Sequence, residues 1–143
     1  MGSIVCATRG GEASHRAQEK AIALARERGA PLIFLFVADI NFAQPSNSAL
    51  AEALADELER LGRQLLYIAR ARAEEQGVVA DIVVRHGAVR QAIEDFLREV
   101  NADTLVLGAP GTGSEKKTFS PRELPRFARQ ISRNTGVKVT VVH

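Results

Sequence analysis

The residues best suited to chemistry form one glycine-rich loop in the last third of the chain. An apolar run, Thr104–Leu107, stops at Gly108 and feeds a segment of glycine, serine and threonine that is followed by two lysines. Glycines after a parallel strand let backbone N–H groups approach an anion closely, and a following helix adds its positive end. The spacing predicts a phosphate-binding loop. Its candidate residues are Gly108, Gly111, Gly113, Ser114, Lys116 and Lys117.

A second polar group follows the first apolar run of the chain. Thr8, Arg9 and Gly10 come directly after it, and Asp39 comes after the second run. An arginine attracts phosphate but cannot accept a hydrogen bond. Arg9 could pair with Asp39, and such a pair would close a ligand pocket from within.

The elements that must position these residues alternate along the chain. Five apolar runs are predicted as strands: Ser3–Thr8, Leu32–Ala38, Ala80–Arg85, Thr104–Leu107 and Val137–Val142. Four helical patterns separate them, which predicts an α/β fold with a parallel sheet and right-handed crossovers. Ligands of such sheets bind at the carboxyl ends of the strands, where both polar groups lie.

The helices are predicted from apolar periodicity and from their end signals. The first runs from Ala13 to Arg28 before Gly29, and the second from Ser48 to Gln76 before Gly77. Residues spaced three or four apart in the second helix form one stripe that we expect to face the core: Leu50, Leu54, Leu58, Leu61, Leu65 and Ile68. The third and fourth helices carry the expected core residues Val89, Ile93, Phe96, Leu97, Val100, Leu124, Phe127 and Ile131.

The fourth helix has a capping signal at its start. Ser120 and Glu123 have capping-box spacing, with Pro121 at the first helical position. Pro125 fits only within the first turn, which favours a start a few residues later.

Composition excludes several function classes. The 143 residues are 45% hydrophobic and 25% charged with a net charge of +2, which predicts one globular domain over residues 1–143. Interspersed charges and 5% aromatic residues argue against nucleic-acid binding. The single cysteine, Cys6, excludes an intrachain disulfide, and we expect it to be buried. The histidines lack metal-ligand spacing. We expect a soluble cytoplasmic protein without a membrane span.

Several segments in order resemble one known family. They are Ile4–Thr8 followed by Gly10, the helix residues Ala17, Ala21, Leu24 and Ala25, then Gly29–Leu32, Gly87, Ile93, Ala102–Gly108 and Gly108–Gly111. Along nearly its whole length the chain resembles the universal stress protein family. The resemblance implies a five-stranded parallel sheet of order 3-2-1-4-5 with helices on both faces, similar to adenine-nucleotide alpha-hydrolase-like domains. It also implies that ATP is bound in some members and that dimers are common.

The chain departs from the nucleotide motif of that family. ATP-binding members carry two glycines like Gly108 and Gly111 and, nine residues later, Gly-Ser or Gly-Thr. Here that place holds Pro121 and Arg122, or Pro125 and Arg126 in a register counted back from the last strand. Proline offers phosphate no N–H. Arg9 also stands where binders usually carry an aspartate.

Three hypotheses about function follow from these patterns. The leading one is a non-enzymatic stress-response or regulatory protein with weak or absent ATP binding. The second is a nucleotide-binding switch or slow ATPase that binds ATP, ADP or AMP. It would use the loop residues together with Thr8, Arg9 and Gly10, and the resemblance places the backbone of Val37 against the base. Alternatively, the glycines only turn the chain. The third is a pyrophosphate-cleaving ligase, because Gly10–Ser14 resembles the Ser-Gly-Gly-x-Asp-Ser loop, although Arg9 and Ala13 replace its first serine and its aspartate.

The last strand suggests a partner. Val137–Val142 is rich in β-forming residues and, by resemblance, lies at a sheet edge. An exposed edge of this kind pairs readily with another strand. We therefore expect a homodimer through Val137–Val142, with neither nucleic acid nor membrane as a partner.

Overall fold

Strands and helices alternate as the sequence predicts. A computed structural model describes residues 2–9, 11–39, 48–109 and 123–143 of the chain. In chain order, its elements are β1 (Ser3–Ala7), α1 (Gly11–Arg28), β2 (Leu32–Ala38), α2 (Ser48–Glu75), β3 (Ala80–His86), α3 (Val89–Glu99), β4 (Ala102–Gly108), α4 (Glu123–Thr135) and β5 (Lys138–Val142). Each predicted strand and helix is present, with ends that shift by one or two residues in most cases.

The five strands form one parallel sheet of order β3-β2-β1-β4-β5. This confirms the predicted order. The central strand β1 pairs with β2 through Ala7 and Leu35 and with β4 through Ala7 and Leu107. Because all strands are parallel, their last residues meet at one edge, here called the carboxyl edge, and their first residues meet at the opposite amino edge.

Each face of the sheet is covered by two helices. On one face, α1 and α2 pack small side chains against the strands, and these include Ala17, Ala21, Ala25, Ala69 and Ala73. On the other face, α3 and α4 contribute the large residues Ile93, Phe96, Leu97, Leu124, Phe127 and Ile131. The predicted core stripes of the third and fourth helices are therefore confirmed, with Val89 and Val100 at the margin of this core.

The predicted core stripe of α2 is wrong at three positions. Leu50, Leu61 and Ile68 are 43%, 53% and 50% exposed. The buried residues of this helix are Gly62, Leu66, Ala69 and Ala73.

The physical reason lies in side-chain size and helix length. Small residues let α2 approach the sheet closely: a Cβ atom on Gly62 would lie 2.3 Å from the Phe36 ring. The leucine stripe lies beside this small-residue row and is only partly covered, at Leu58 and Leu65. A helix of 28 residues is also about 42 Å long, whereas a seven-residue strand spans about 23 Å.

Two element boundaries depend on particular residues. Pro125 is the third residue of α4, so it lies in the first turn as expected, while Ser120–Arg122 lie outside the described residues. β5 begins at Lys138, one residue later than predicted, and the backbone of Val137 instead bonds to α4: its N–H donates to Thr135 Oγ1 over 3.2 Å and its carbonyl accepts from Ser132 Oγ over 2.8 Å.

Candidate functional site

The carboxyl edge brings together four of the predicted site residues. Thr8 and Arg9 follow the last residue of β1, Val37 is the second-last residue of β2, and Gly108 ends β4. Since β1 lies between β2 and β4, Thr8 and Arg9 stand between the other two. The remaining predicted site residues lie outside the described residues: Gly10, Gly111, Gly113, Ser114, Lys116 and Lys117.

Gly108 has a packing role that is independent of any ligand. A Cβ atom at this position would lie 2.5 Å from the carbonyl oxygen of Ala13 and 3.1 Å from the backbone nitrogen of Ser14. Only glycine therefore allows the beginning of α1 to lie directly on the end of β4. The close packing of α1 on β4 thus explains the first glycine of the predicted loop without a ligand.

The backbone at Arg9 is held by the helix that follows it. The Arg9 N–H donates a hydrogen bond to Ser14 Oγ over 3.1 Å, and Ser14 is buried. The Arg9 side chain is exposed and adds positive charge at the carboxyl edge. Asp39 is half-buried directly after β2, and the pairing of Arg9 with Asp39 stays a prediction.

Thr8 is tied to both α1 and α2 by side chains that sequence reasoning missed. Its N–H donates to the Leu35 carbonyl over 2.8 Å. Its Oγ1 accepts a hydrogen bond from Gln18 Nε2 over 2.7 Å, and Gln18 Oε1 accepts one from Arg72 Nη1 over 2.9 Å. The available signal was a glutamine beside Ala17 on the inner face of the first helix, where an amide needs partners.

A second polar contact at this edge joins α2 to the end of β3. His86 Nε2 and Glu59 Oε1 are 2.9 Å apart, and Arg63 Nε lies 3.6 Å from the other carboxylate oxygen. The hydrogen bond from His86, aided by Arg63, lowers the pKa of Glu59 below its ordinary value. Sequence reasoning did not connect these residues, since 27 positions separate them.

Cys6 is buried in β1, as predicted. Burial raises the pKa of its thiol to about 12, so the reactive thiolate is scarce at neutral pH. The described residues contain no group of three His, Cys, Asp or Glu side chains that could hold a metal ion. Across the described ranges, no helix has the length and apolarity needed to span a bilayer.

Comparisons with known proteins agree with this architecture. The model of the universal stress protein family matches residues 1–143. The chain is 28% identical over 141 residues to universal stress protein MJ0531 of Methanocaldococcus jannaschii, a match that covers 97% of this chain and 80% of that protein.

Solved structures are similar over the full sheet. A universal stress protein in complex with cAMP is 25% identical, with a TM-score of 0.69 and coverage of 99% of this chain and 97% of the other. The universal stress protein from Archaeoglobus fulgidus in complex with dAMP is 18% identical, with a TM-score of 0.63 and coverage of 100% and 98%.

Proposed function

Because the chain belongs to the universal stress protein family, we propose that it is a non-enzymatic regulatory member that binds an adenine nucleotide weakly at the carboxyl edge. The observation that carries this proposal is the meeting of Thr8, Arg9, Val37 and Gly108 at the ends of three adjacent strands. Ligands of open parallel sheets bind at this edge. A similar protein, 25% identical, is known in complex with cAMP.

Weak binding is supported by Arg9 and its surroundings. An aspartate at this position would accept a hydrogen bond from a ribose hydroxyl, whereas a guanidinium only donates. Loss of such a bond costs about 1.5–3 kcal/mol, or roughly ten- to over a hundredfold in affinity. The Arg9 N–H is also engaged by Ser14 Oγ and is not available to a phosphate.

The other proposed contacts follow the sequence prediction. Val37 would meet the base through its backbone, and the loop residues Gly111, Gly113, Ser114, Lys116 and Lys117, with Gly10, would surround the phosphates. Arg9 would attract phosphate charge through its exposed guanidinium. The free, buried thiol of Cys6 fits a reducing compartment, and we place the protein in the cytoplasm.

Calorimetric titration with ATP, ADP and AMP tests the proposal. We expect wild-type dissociation constants well above micromolar, no ATP hydrolysis, and a ten- to hundredfold gain in ATP affinity in Arg9→Asp. Arg9→Ala is the matched control, because it removes the same positive charge without adding an acceptor. Sub-micromolar ATP binding or steady hydrolysis by the wild type would overturn the proposal in favour of a nucleotide switch or slow ATPase.

We also propose that the protein is a homodimer through the outer edge of β5. This strand ends the sheet, and its residues Val139–Val142 are only half-buried. The Ala109 N–H donates to the Val142 carbonyl over 2.8 Å, so Val142 faces β4 and the backbone groups of Val141 face outward. An outward row of N–H and C=O groups invites pairing with a second copy.

Sedimentation of Val141→Pro tests this interface. Proline removes an outward N–H and leaves the inward bonds to β4 in place. We expect a folded monomer for the variant and a dimer for the wild type. A wild-type monomer at micromolar concentration, or an unchanged dimer in Val141→Pro, contradicts pairing through β5.

A further inference from the structure

A chain of three buried or partly buried side chains crosses the α1–α2 layer and ends at the carboxyl edge. It starts at Arg72 in the last turn of α2, passes through Gln18 on α1 and reaches Thr8 after β1. Gln18 is 4% exposed and Thr8 is 1% exposed. The two hydrogen bonds of the chain measure 2.9 Å and 2.7 Å.

The chemistry of the three groups fixes the direction of the chain. A guanidinium can only donate, so it must face the carbonyl oxygen of the Gln18 amide. This leaves the Gln18 amide nitrogen for Thr8, and Thr8 Oγ1 must act as the acceptor. Arg72 therefore fixes the orientation of the buried Gln18 amide, whose oxygen and nitrogen ends could otherwise exchange places.

The Thr8 hydroxyl consequently keeps its own proton for another partner. A hydroxyl is one donor as well as an acceptor. Within residues 2–9, 11–39, 48–109 and 123–143, its oxygen receives the bond from Gln18 and no acceptor faces its proton. Thr8 Oγ1 is thus satisfied as an acceptor, and its donor capacity is left for a further partner.

We propose that Arg72 and Gln18 are positioning residues that orient Thr8, and that the Thr8 hydroxyl donates its proton to an acceptor oxygen of the ligand at the carboxyl edge. This inference rests on the proposed function, since it specifies a contact within the nucleotide site. Arg72 acts from the last turn of α2, two hydrogen bonds away from Thr8. The acceptor is a phosphate or ribose oxygen, either directly or through one ordered water.

The first test reverses the last bond of the chain. Gln18→Glu keeps the size of the side chain and its bond from Arg72, but a carboxylate only accepts, so Thr8 must donate to it. We expect Gln18→Glu and Thr8→Val each to lower the affinity for ADP by roughly tenfold. NMR titration of each variant with ADP measures this change. Thr8→Ser keeps the hydroxyl and should stay within about twofold of the wild type.

The double variant separates this mechanism from simple charge repulsion. If Gln18→Glu acts through the Thr8 proton, then adding Thr8→Val causes no further loss, and the double variant stays roughly tenfold weaker. A new negative charge that merely repels phosphate would instead add its effect, giving roughly a hundredfold loss. Additive losses, or unchanged affinity in Gln18→Glu, overturn the proposal.

A second measurement needs no nucleotide. The Gln18 side-chain N–H₂ protons should be protected from exchange in the wild type and lose that protection in Arg72→Met. Gln76→Met is the matched control, because it breaks a neighbouring bond to α1, from Gln76 Nε2 directly after α2 to Glu19 Oε2. Equal protection in all three proteins refutes the role of Arg72.

If the wild type binds no nucleotide, the proposed function and the acceptor assigned to Thr8 both fail. The exchange data alone then decide whether Arg72 orients Gln18.

Discussion

Two buried threonines, one at each edge of the sheet, use their hydroxyl groups differently. Thr104 lies near the start of β4 and is 2% exposed; Thr8 follows β1 and is 1% exposed. Thr104 Oγ1 accepts a hydrogen bond from Arg28 over 2.9 Å and donates one to Asp103 over 2.8 Å. The Thr8 oxygen accepts a bond from Gln18, and no described residue takes its proton. At the amino edge, side chains of the protein satisfy both the donor and the acceptor of the Thr104 hydroxyl. At the carboxyl edge, the described residues satisfy only the acceptor of the Thr8 hydroxyl.

The remaining contacts at the amino edge agree with a purely structural role there. Asp103 also accepts the Gly2 N–H over 3.1 Å and lies 3.8 Å from Arg28. The Ser3 hydroxyl donates to the Val100 carbonyl over 3.2 Å. Each of these polar groups therefore finds its partner within the chain, as a region without a ligand requires.

The largest expected effect concerns how tightly α1 is seated at the carboxyl edge. In Gly108→Ala the new methyl group would meet the Ala13 carbonyl at 2.5 Å, and a backbone cannot move aside as a side chain can. We expect a loss of about 2–3 kcal/mol in the free energy of unfolding, measured by urea denaturation. Binding at the proposed nucleotide site should weaken in parallel, because Thr8 and Arg9 are hydrogen-bonded to the same helix.

A second substitution checks the origin of that loss. Ala13→Gly in the Gly108→Ala background removes a side chain but leaves the carbonyl that the methyl group meets. It should therefore not restore stability. A Gly108→Ala protein within about 0.5 kcal/mol of the wild type would show that α1 is seated loosely and that the carboxyl edge is adaptable.

An intermediate effect compares the two threonines directly. Thr104→Val leaves the Arg28 donor and the Asp103 carboxylate without their shared hydroxyl, so we expect a loss of about 1–2 kcal/mol. Thr8→Val leaves the N–H of Gln18, which is 4% exposed, without its acceptor, so we expect a similar loss. Paired urea titrations at one pH measure both values.

The Arg28→Met variant provides the control for Thr104. Combined with Thr104→Val, it should cost less than the sum of the two single changes, because both remove the same hydrogen bond. Strictly additive losses in the double variant would show that Arg28 and the Thr104 hydroxyl contribute to stability independently.

The sequence predicted the fold through patterns that are local. Continuous apolar runs such as Leu32–Ala38 and glycines such as Gly29, which has a φ of +64°, mark strands and helix ends without reference to the rest of the chain. The α2 stripe failed because periodicity reports an apolar row but not which of two adjacent rows the sheet covers. The row that contains the small residues Gly62, Ala69 and Ala73 faces the sheet, since small side chains allow the helix to pack closer to the strands.

The site was predictable only as a location. Strand ends placed Thr8, Arg9 and Gly108 at one edge, because that follows from parallel topology alone. Gln18 and Arg72 could not be connected, since 54 residues separate them and nothing local links a glutamine to an arginine on another helix. The packing of Gly108 on Ala13 is likewise a tertiary fact, although the same glycine is typical of a phosphate loop.

The smallest expected effect concerns a polar contact of the carboxyl edge that is satisfied but exposed. His86 donates to Glu59, and this bond lowers the pKa of the carboxyl group below its ordinary value of 4.5. A carboxyl group whose pKa is lower in the folded state stabilises the fold above its unfolded pKa, and that contribution is lost as the pH falls through the folded value. We therefore expect the melting temperature of the wild type to fall slightly more than that of Glu59→Gln when the pH drops from 6 to about 3.

Glu57→Gln is the control variant, because it removes an equal charge from the same helix away from His86. It should keep the wild-type pH dependence of the melting temperature. Identical pH profiles for the wild type and Glu59→Gln would mean that the contact between His86 and Glu59 contributes nothing to stability in solution.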